Sequence, residues 1–268
     1  MKILLIPLVL FLSLDCLVAQ QHQPPREAQQ EVDLGQQASR NAHYEEAIQH
    51  FQLALAIDNN FCWARLLLGS AFETEYVPQR KSAYNRAKAK QAFEHYRAAM
   101  KCDPALSEGA LLGMAYLNVS MGQPAKARDF YRQLLKIQPK YRDPYYAIAT
   151  CDLAEASANT ERVKARLNVN PGESLADTPA CPALRKKNLP LVEDGLQMLS
   201  KAMQLHPSEE GGDQVTASVL YRRRAEIACG NPEARKADEK NAAYWNDLAV
   251  KISNQQRDAV KKKDAAKK

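Results

Sequence analysis

The chain has 268 residues, of which 46% are hydrophobic and 25% charged, so it is long and apolar enough to bury an extended core. Glycine is scarce and the strong helix formers dominate, which predicts an all-α fold. The net charge of +6 is modest. It favours solubility and weak attraction to acidic surfaces, and it does not favour a dedicated nucleic-acid-binding protein.

The N-terminus has the pattern of an export signal over residues 1–19. Lys2 precedes an apolar run from Ile3 to Leu14, and Ala19 is a small residue before a cleavage point. An uncleaved anchor is the alternative, but a membrane span needs about 20 apolar residues and Asp15 interrupts this run. We therefore predict an exported protein, periplasmic or secreted, with no membrane span after cleavage and with a flexible lead-in over residues 20–29.

Two helix hairpins are predicted after the lead-in, because the pair Leu34-Gly35 returns as Leu68-Gly69 after 34 residues. Each pair lies on the first helix of a hairpin, where a small residue lets a neighbouring backbone approach closely. Apolar residues at helical spacing then mark the second helices, at Ala47, Phe51 and Ala54 in the first hairpin and Ala92, Tyr96 and Ala99 in the second.

The second hairpin carries an insert near residues 79–90. Pro78 ends its first helix, and Ser82 is placed to cap a lengthened second helix. The insert contains five basic residues and no acidic one: Arg80, Lys81, Arg86, Lys88 and Lys90. We interpret this run as a solvated helix face, with the binding of an acidic partner as the alternative.

A third and a fourth hairpin follow, and the fourth is interrupted by an insert over residues 155–189. Leu112-Gly113 and Tyr131 mark the third, while Gly195 and Leu199 mark the late second helix of the fourth. The proline-containing insert predicts loops and short helices. Loops of this length are uncommon unless they have a role, so it is either a lid over a partner or a structural flap.

The predicted array covers residues 30–231 and ends in a cap. Asn231-Pro232-Glu233 combines an N-cap residue, a proline in the first turn and an acid at the helix start. A capping helix is predicted over residues 232–253, since the last hairpin of such an array otherwise exposes its core face. Residues 254–268 are lysine-rich and predict a disordered basic tail.

Five cysteines lie beyond residue 19, and their spacing fits no zinc site. An oxidising location favours disulfides. The preferred pair is Cys181 with Cys229, which would attach the long insert to the last unit, and Cys62 with Cys102 is the next candidate. The sequence leaves the connectivity open, and buried cysteines acting as small apolar residues remain an alternative.

With these landmarks the chain resembles the tetratricopeptide repeat proteins. The resemblance implies an α-solenoid of about four to five helix hairpins with two inserts and a C-terminal capping helix. The layout also resembles a group of exported bacterial proteins of acidobacterial type, through Asp143-Pro144-Tyr145-Tyr146 and through the segment from Cys229 to Arg235. That resemblance implies an envelope or secreted location and no known reaction. The basic and Asn residues with which some relatives grip a C-terminal carboxylate are absent here.

No motif for catalysis, a cofactor or a metal is found, so we predict a non-enzymatic scaffold without cofactors. It is expected to bind a protein or peptide in a concave groove lined by the first helices of the hairpins. The residues predicted to line this groove are Gln36, Ser39, Trp63, Leu66, Ser70, Glu73, Tyr146 and Thr150.

Two alternative functions stay open at this point. One is a ligand-binding or thiol-dependent role located in the 155–189 insert. The other is docking onto nucleic acid or anionic lipid through the basic run from Arg80 to Lys90 and the lysine-rich tail.

Overall fold

The computed structural model describes residues 22–170, 173–206 and 211–265, so the predicted signal at residues 1–19 lies outside the described residues. This part of the chain is a succession of helices without strands. The helices are α1 (Arg26–Arg40), α2 (Tyr44–Ile57), α3 (Cys62–Thr74), α4 (Ala83–Cys102), α5 (Ser107–Ser120), α6 (Pro124–Ile137), α7 (Arg142–Leu167), α8 (Cys181–Leu205), α9 (Gly212–Ala225) and α10 (Pro232–Ala265), with a 3₁₀ turn at Pro104–Leu106.

Consecutive helices pair into five hairpins, and each hairpin packs on the next one along the chain. This arrangement confirms the predicted all-α solenoid. The buried apolar residues form a core that follows the stack of helices, with its largest cluster running from Ala28 on α1 to Leu134 on α6. The predicted lead-in is shorter than expected, because α1 begins at Arg26 and Ala28 is fully buried.

The glycines that repeat after 34 residues lie in the seams between helices. A Cβ atom built on Gly35 would lie 2.5 Å from Cε1 of Phe51, and one on Gly69 would lie 3.0 Å from Cδ1 of Tyr96. The ring of Tyr96 also fills the space beside Gly113 on α5. The small residues of the second helices are fully buried as well: Ala47, Ala54, Ala92 and Ala99.

The insert of the second hairpin consists of a loop after α3 and a lengthened α4. Ser82 caps this helix as predicted, since its hydroxyl accepts a hydrogen bond from the N–H of Asn85 at 3.0 Å. At 20 residues α4 is six residues longer than α2, which has 14. Lys88 points back along the helix to form an ion pair with Glu75 in the loop.

The 155–189 insert differs from the predicted loops and short helices. Helix α7 continues to Leu167 and α8 begins at Cys181, so the segment between them, residues 168–180, holds all of the non-helical chain described there. The long helices bury polar side chains along their contact. Asn188 donates to the carbonyl of Ala156 at 2.9 Å and to Oγ1 of Thr160 at 3.1 Å, and accepts from Asn159 at 2.9 Å. These hydrogen bonds form a polar network that is buried between α7 and α8.

Two pairs of cysteines stand at disulfide-bonding positions, Cys62 with Cys102 and Cys181 with Cys229, each with Cα atoms 5.5 Å apart. The second pair attaches the start of α8 to the loop between α9 and α10. Leu175, Leu184 and Ile227 form a small apolar cluster beside it. The described part of the insert is therefore held against the last hairpin in the manner of a structural flap.

The last hairpin begins its second helix where the sequence predicts a helix start. The side chain of Asn231 accepts a hydrogen bond from the N–H of Ala234 at 2.9 Å, and α10 follows from Pro232. The helix then runs on to Ala265 through residues 254–265, where a disordered tail was predicted. Helix-forming residues without a breaker explain the continuation. Within the ranges described, no helix is both long and apolar enough to cross a membrane.

Candidate partner-binding surface

Three of the predicted groove residues meet in one cleft between α1 and α3. Gln36 and Ser39 lie on the last turns of α1, and Ser70 lies on the corresponding part of α3. Their side chains line a cleft of about 240 Å³ although they are far apart in sequence. The stacking of the first two hairpins brings them together.

The cleft combines an apolar base with polar edges. Phe51, Leu67 and Ala71 supply the apolar part of the lining. The amide of Gln36 and the hydroxyl of Ser39 make no hydrogen bond to another described residue, so both are available to a ligand. A base of this kind with a few polar groups is suited to an extended or helical segment of another polypeptide.

Two further predicted residues on α3 lie outside this cleft and differ in exposure. Trp63 is 42% exposed. Leu66 is only 9% exposed, and its methyl groups face α5 beside Gly109. The prediction that Leu66 lines a groove is therefore corrected, because its side chain belongs to the contact between the second and third hairpins.

Glu73 is half-buried and already has a partner in the core. The hydroxyl of Tyr96 donates a hydrogen bond to Oε2 of Glu73. Burial raises the pKa of the Glu73 carboxyl from its usual 4.5 to about 7, although the bond from Tyr96 opposes this rise. Glu73 therefore fixes the seam between α3 and α4, and it is not free to select a ligand as the sequence suggested.

The remaining two predicted residues lie on α7 and do not line the α1–α3 cleft. The guanidinium group of Arg142 lies over the ring of Tyr146, 5.6 Å from its centre. The hydroxyl of Thr150 donates to the carbonyl of Ala147 at 2.8 Å, which is a bond within the helix. Both side chains are half-buried, and Tyr146 packs against the apolar cluster of the fourth and fifth hairpins.

A thiol-dependent role located in the long insert would need an exposed thiol, and the described part of the chain contains none. Cys181 is paired with Cys229. Cys151 is unpaired but only 4% exposed, and burial raises the pKa of its thiol to about 12. The ranges that the structure describes also hold no group of three His, Cys, Asp or Glu side chains placed to bind a metal.

Sequence reasoning missed six residues of the cleft: Arg40, Tyr44, Phe51, Leu67, Ala71 and Thr74. The sequence contains a helical spacing that places two of them on the predicted groove face. Arg40 follows Gln36 by four residues and Thr74 follows Ser70 by four, which places each pair on one helix face. Tyr44 begins α2 and enters the cleft only through the turn of the first hairpin, which the repeat pattern does not describe.

Comparisons with known proteins agree with this architecture. A tetratricopeptide repeat model matches residues 109–141, the segment that contains most of α5 and all of α6. No curated protein sequence matches the chain at a significant level.

Solved structures share the fold at low sequence identity. The crystal structure of MamA protein has a TM-score of 0.56 at 13% identity, over 87% of this chain and 94% of that one. A structure of MamA from residue 41 to its end, from Desulfovibrio magneticus RS-1, has the same TM-score at 15% identity, over 87% and 99% of the two chains. A double mutant of MamA from RS-1 also scores 0.56 at 15% identity, over 87% and 98%. At such identities the likeness concerns the fold alone.

Proposed function

We propose that this chain, in which residues 109–141 match a tetratricopeptide repeat model, is a non-enzymatic scaffold of the bacterial envelope that binds a segment of a partner protein in the α1–α3 cleft. One observation supports this choice of site above the others. Gln36, Ser39 and Ser70 come from two repeats, and all three line the same cleft.

The chemistry of the cleft supports a polypeptide ligand. An extended or helical segment presents apolar side chains for the base near Leu67 and backbone or side-chain polar groups for Gln36 and Ser39. The surrounding helices are packed through Gly35 and Gly69, so the cleft is formed before the partner arrives. A preformed site of this kind reduces the entropy lost on binding.

The envelope location is supported by the cysteines. Two cystine pairs in one chain are typical of proteins that fold in an oxidising compartment. Cell fractionation tests this part of the proposal. We expect the native protein in the periplasmic or secreted fraction with both disulfides formed, and recovery from the cytoplasm with free thiols would contradict it.

Site-specific photo-crosslinking in the native cell tests the cleft. A photoreactive residue at Ser39 or Ser70 is expected to trap the same partner, which mass spectrometry identifies. Ser253 is the control position, because it is exposed on α10, far along the chain from the cleft. A partner trapped equally from all three positions, or from none, would rule out the cleft as the binding site.

A substitution then tests whether binding needs the cleft. Ser70→Arg adds a bulky charged side chain at an exposed position and leaves the helix intact. We expect it to reduce recovery of the crosslinked partner at least tenfold, about 1.4 kcal/mol of binding free energy. Ser253→Arg is the matched control and should leave recovery unchanged. Circular dichroism of both variants establishes that the solenoid is intact.

A further inference from the structure

A second and larger cavity lies on the other side of the second hairpin. Its volume is about 930 Å³, and its walls come from the α3–α4 loop, from α4 and from the end of α5 with the turn that follows it. It shares no lining residue with the α1–α3 cleft. The predicted role of the basic insert as a solvated helix face is therefore incomplete, because one side of the insert forms a wall of this cavity.

The base of the cavity is apolar and open to solvent. Tyr76, Ala89, Phe93, Val119 and Met121 line it. Ala89 is buried, whereas Val119 is 50% exposed, so the base extends from the core to the surface. The aliphatic and aromatic side chains provide contact for an apolar chain or ring and offer it few hydrogen-bonding groups.

The rim of the cavity is strongly cationic. Five of its side chains carry positive charge and one, Glu94, carries negative charge; the cations are Arg80, Lys81, Arg86, Lys90 and Arg97. Lys90 lies 3.6 Å from Glu94. None of the other four forms an ion pair with any carboxylate in the described ranges. Among the described residues, the rim thus holds several charges without a carboxylate partner, one of which, Arg97, lies over the ring of Phe93 at 5.6 Å from its centre.

The loop that carries part of this rim is fixed in place. Asn85 is 2% exposed, and its amide donates to the carbonyls of Val77 and Arg80 at 2.8 Å each. The same side chain accepts a hydrogen bond from the N–H of Val77 at 2.9 Å. One buried side chain therefore holds both ends of the loop between Val77 and Arg80, and the cavity is preorganised.

We propose that this cavity binds a single-chain amphipathic anion, with the apolar chain on the Phe93–Val119–Met121 base and a carboxylate or phosphate head at the basic rim. Two observations support this ligand class. The volume is within the range of small-molecule sites, about 300–1,000 Å³. The apolar base and the uncompensated rim charges complement a molecule that carries both features.

A small ligand fits better than a partner polypeptide. A stable protein interface covers roughly 800 Å² on each partner, with an extended apolar centre. Here the apolar base is confined between three short segments of chain, and the cations of α4 stand directly beside it. The α1–α3 cleft is a separate site, so a result that refutes this proposal does not test the proposed function.

Isothermal titration calorimetry and native mass spectrometry of the full, disulfide-bonded chain test the proposal. The probes are hexadecanoate and a monoacylglycerol phosphate, both below their micellar concentrations. We expect one molecule bound per chain for at least one of them, and the preferred head group identifies carboxylate or phosphate as the native chemistry. Hexadecanol and hexadecyltrimethylammonium have the same chain without the anion and are expected to bind at least tenfold more weakly. Equal binding of all four probes, or of neither anion, would overturn the proposal.

Two variants locate the site on the protein. R86E/R97E reverses two rim charges, and K240E/K251E makes the same change in net charge at exposed positions on α10. We expect the first to weaken anion binding at least tenfold and the second to leave it unchanged. Val119→Glu places a carboxylate on the exposed part of the base and should weaken binding in the same way without unfolding the chain. Retained affinity in both cavity variants would refute the assignment.

A peptide ligand would produce a different result. Selection of random displayed peptides against the full chain would then enrich acidic sequences whose binding R86E/R97E abolishes, while neither lipid-like anion binds. That outcome would make the cavity a protein-docking site and would exclude the small-ligand proposal.

Discussion

The hydroxyl of Tyr96 donates a hydrogen bond to Oε2 of Glu73, which joins the centre of the α4 packing face to a carboxylate on α3. The ring of Tyr96 lies against Gly69 on α3 and Gly113 on α5, so this side chain of α4 contacts two other helices and joins two hairpins. Because burial raises the pKa of Glu73 to about 7, its protonation state changes within the physiological range of pH. The stability of this seam therefore depends on pH.

The first prediction concerns the direction of that dependence. The folded protein holds the Glu73 proton more tightly than the unfolded chain, where the pKa is near 4.5. The contribution of this group to stability is complete below the unfolded pKa and is lost as pH rises to about 7. One pKa unit corresponds to about 1.4 kcal/mol, so the loss is up to about 3 kcal/mol.

Glu73→Gln isolates this effect, because the amide oxygen still accepts from Tyr96 but no longer ionises. We expect urea unfolding of this variant to show a smaller decrease in the free energy of unfolding between about pH 5 and pH 8 than the natural chain. Glu45→Gln, at an exposed position on α2, is the control. An identical pH dependence in all three proteins would contradict the role of Glu73.

The second prediction concerns the first helix seam. Gly35→Ala places a methyl group 2.5 Å from the ring of Phe51, which must move to accept it. We expect a loss of roughly 1–3 kcal/mol, the cost of overpacking, although alanine is otherwise the better helix former by about 1 kcal/mol. Gly109→Ala is the matched control, since its nearest neighbour is a flexible methyl of Leu66 at 3.3 Å. Urea unfolding distinguishes them, and equal effects would mean that the seam is not tight.

The third prediction concerns the cystine that holds the long insert. Cys181 and Cys229 are separated by 48 residues, so their bond closes a long loop in the unfolded chain. On the chain-entropy model its removal costs roughly 3–4 kcal/mol. We expect C181A/C229A to lower the free energy of unfolding by about this amount, with Ser253→Ala, at an exposed position of α10, as the control. Peptide mapping without reductant should recover the Cys181–Cys229 pair, and a different pairing would refute the assignment.

Whether a feature of the structure could be predicted from the sequence depends on whether residues close together in the chain determine it. The hairpins were predictable because Gly35 and Gly69 recur after 34 residues. Each glycine also packs against an aromatic residue of its own hairpin. The groove residues were predictable only in part: motif positions identify a helix face, but Leu66 and Glu73 show that the same face also supplies the seams. The cationic cavity was not predictable as a site, because it exists only where a loop, α4 and a distant turn meet.

The long insert contains buried residues that hydrophobic periodicity cannot predict. Loops and short helices were predicted there, whereas its long helices bury Asn159, Thr160 and Asn188, for which hydrophobic periodicity gives no signal. Their hydrogen bonds to one another replace the apolar contact. Polar residues at helical spacing usually predict a solvent-exposed helix face. Their burial here could be predicted only from their hydrogen-bond partners, and these lie on another helix.

The last prediction tests whether this polar network holds the insert together. Asn188 is fully buried and forms three hydrogen bonds at 2.9–3.1 Å. Asn188→Ala removes them and leaves the amide of Asn159 without its acceptor, which we expect to cost about 2–4 kcal/mol in urea unfolding. Asn241→Ala, at an exposed position of α10, is the control and should change stability by less than about 0.5 kcal/mol.

A double replacement separates the network from the space it fills. N159L/N188L removes the two amides that face each other across α7 and α8 and supplies apolar contact between the helices instead. We expect it to lie closer to the natural chain than Asn188→Ala does, because replacing both partners leaves no unsatisfied amide between them. If Asn188→Ala is as stable as the natural chain, the long helices are held by their apolar contacts and by the Cys181–Cys229 cystine, and the buried amides contribute little.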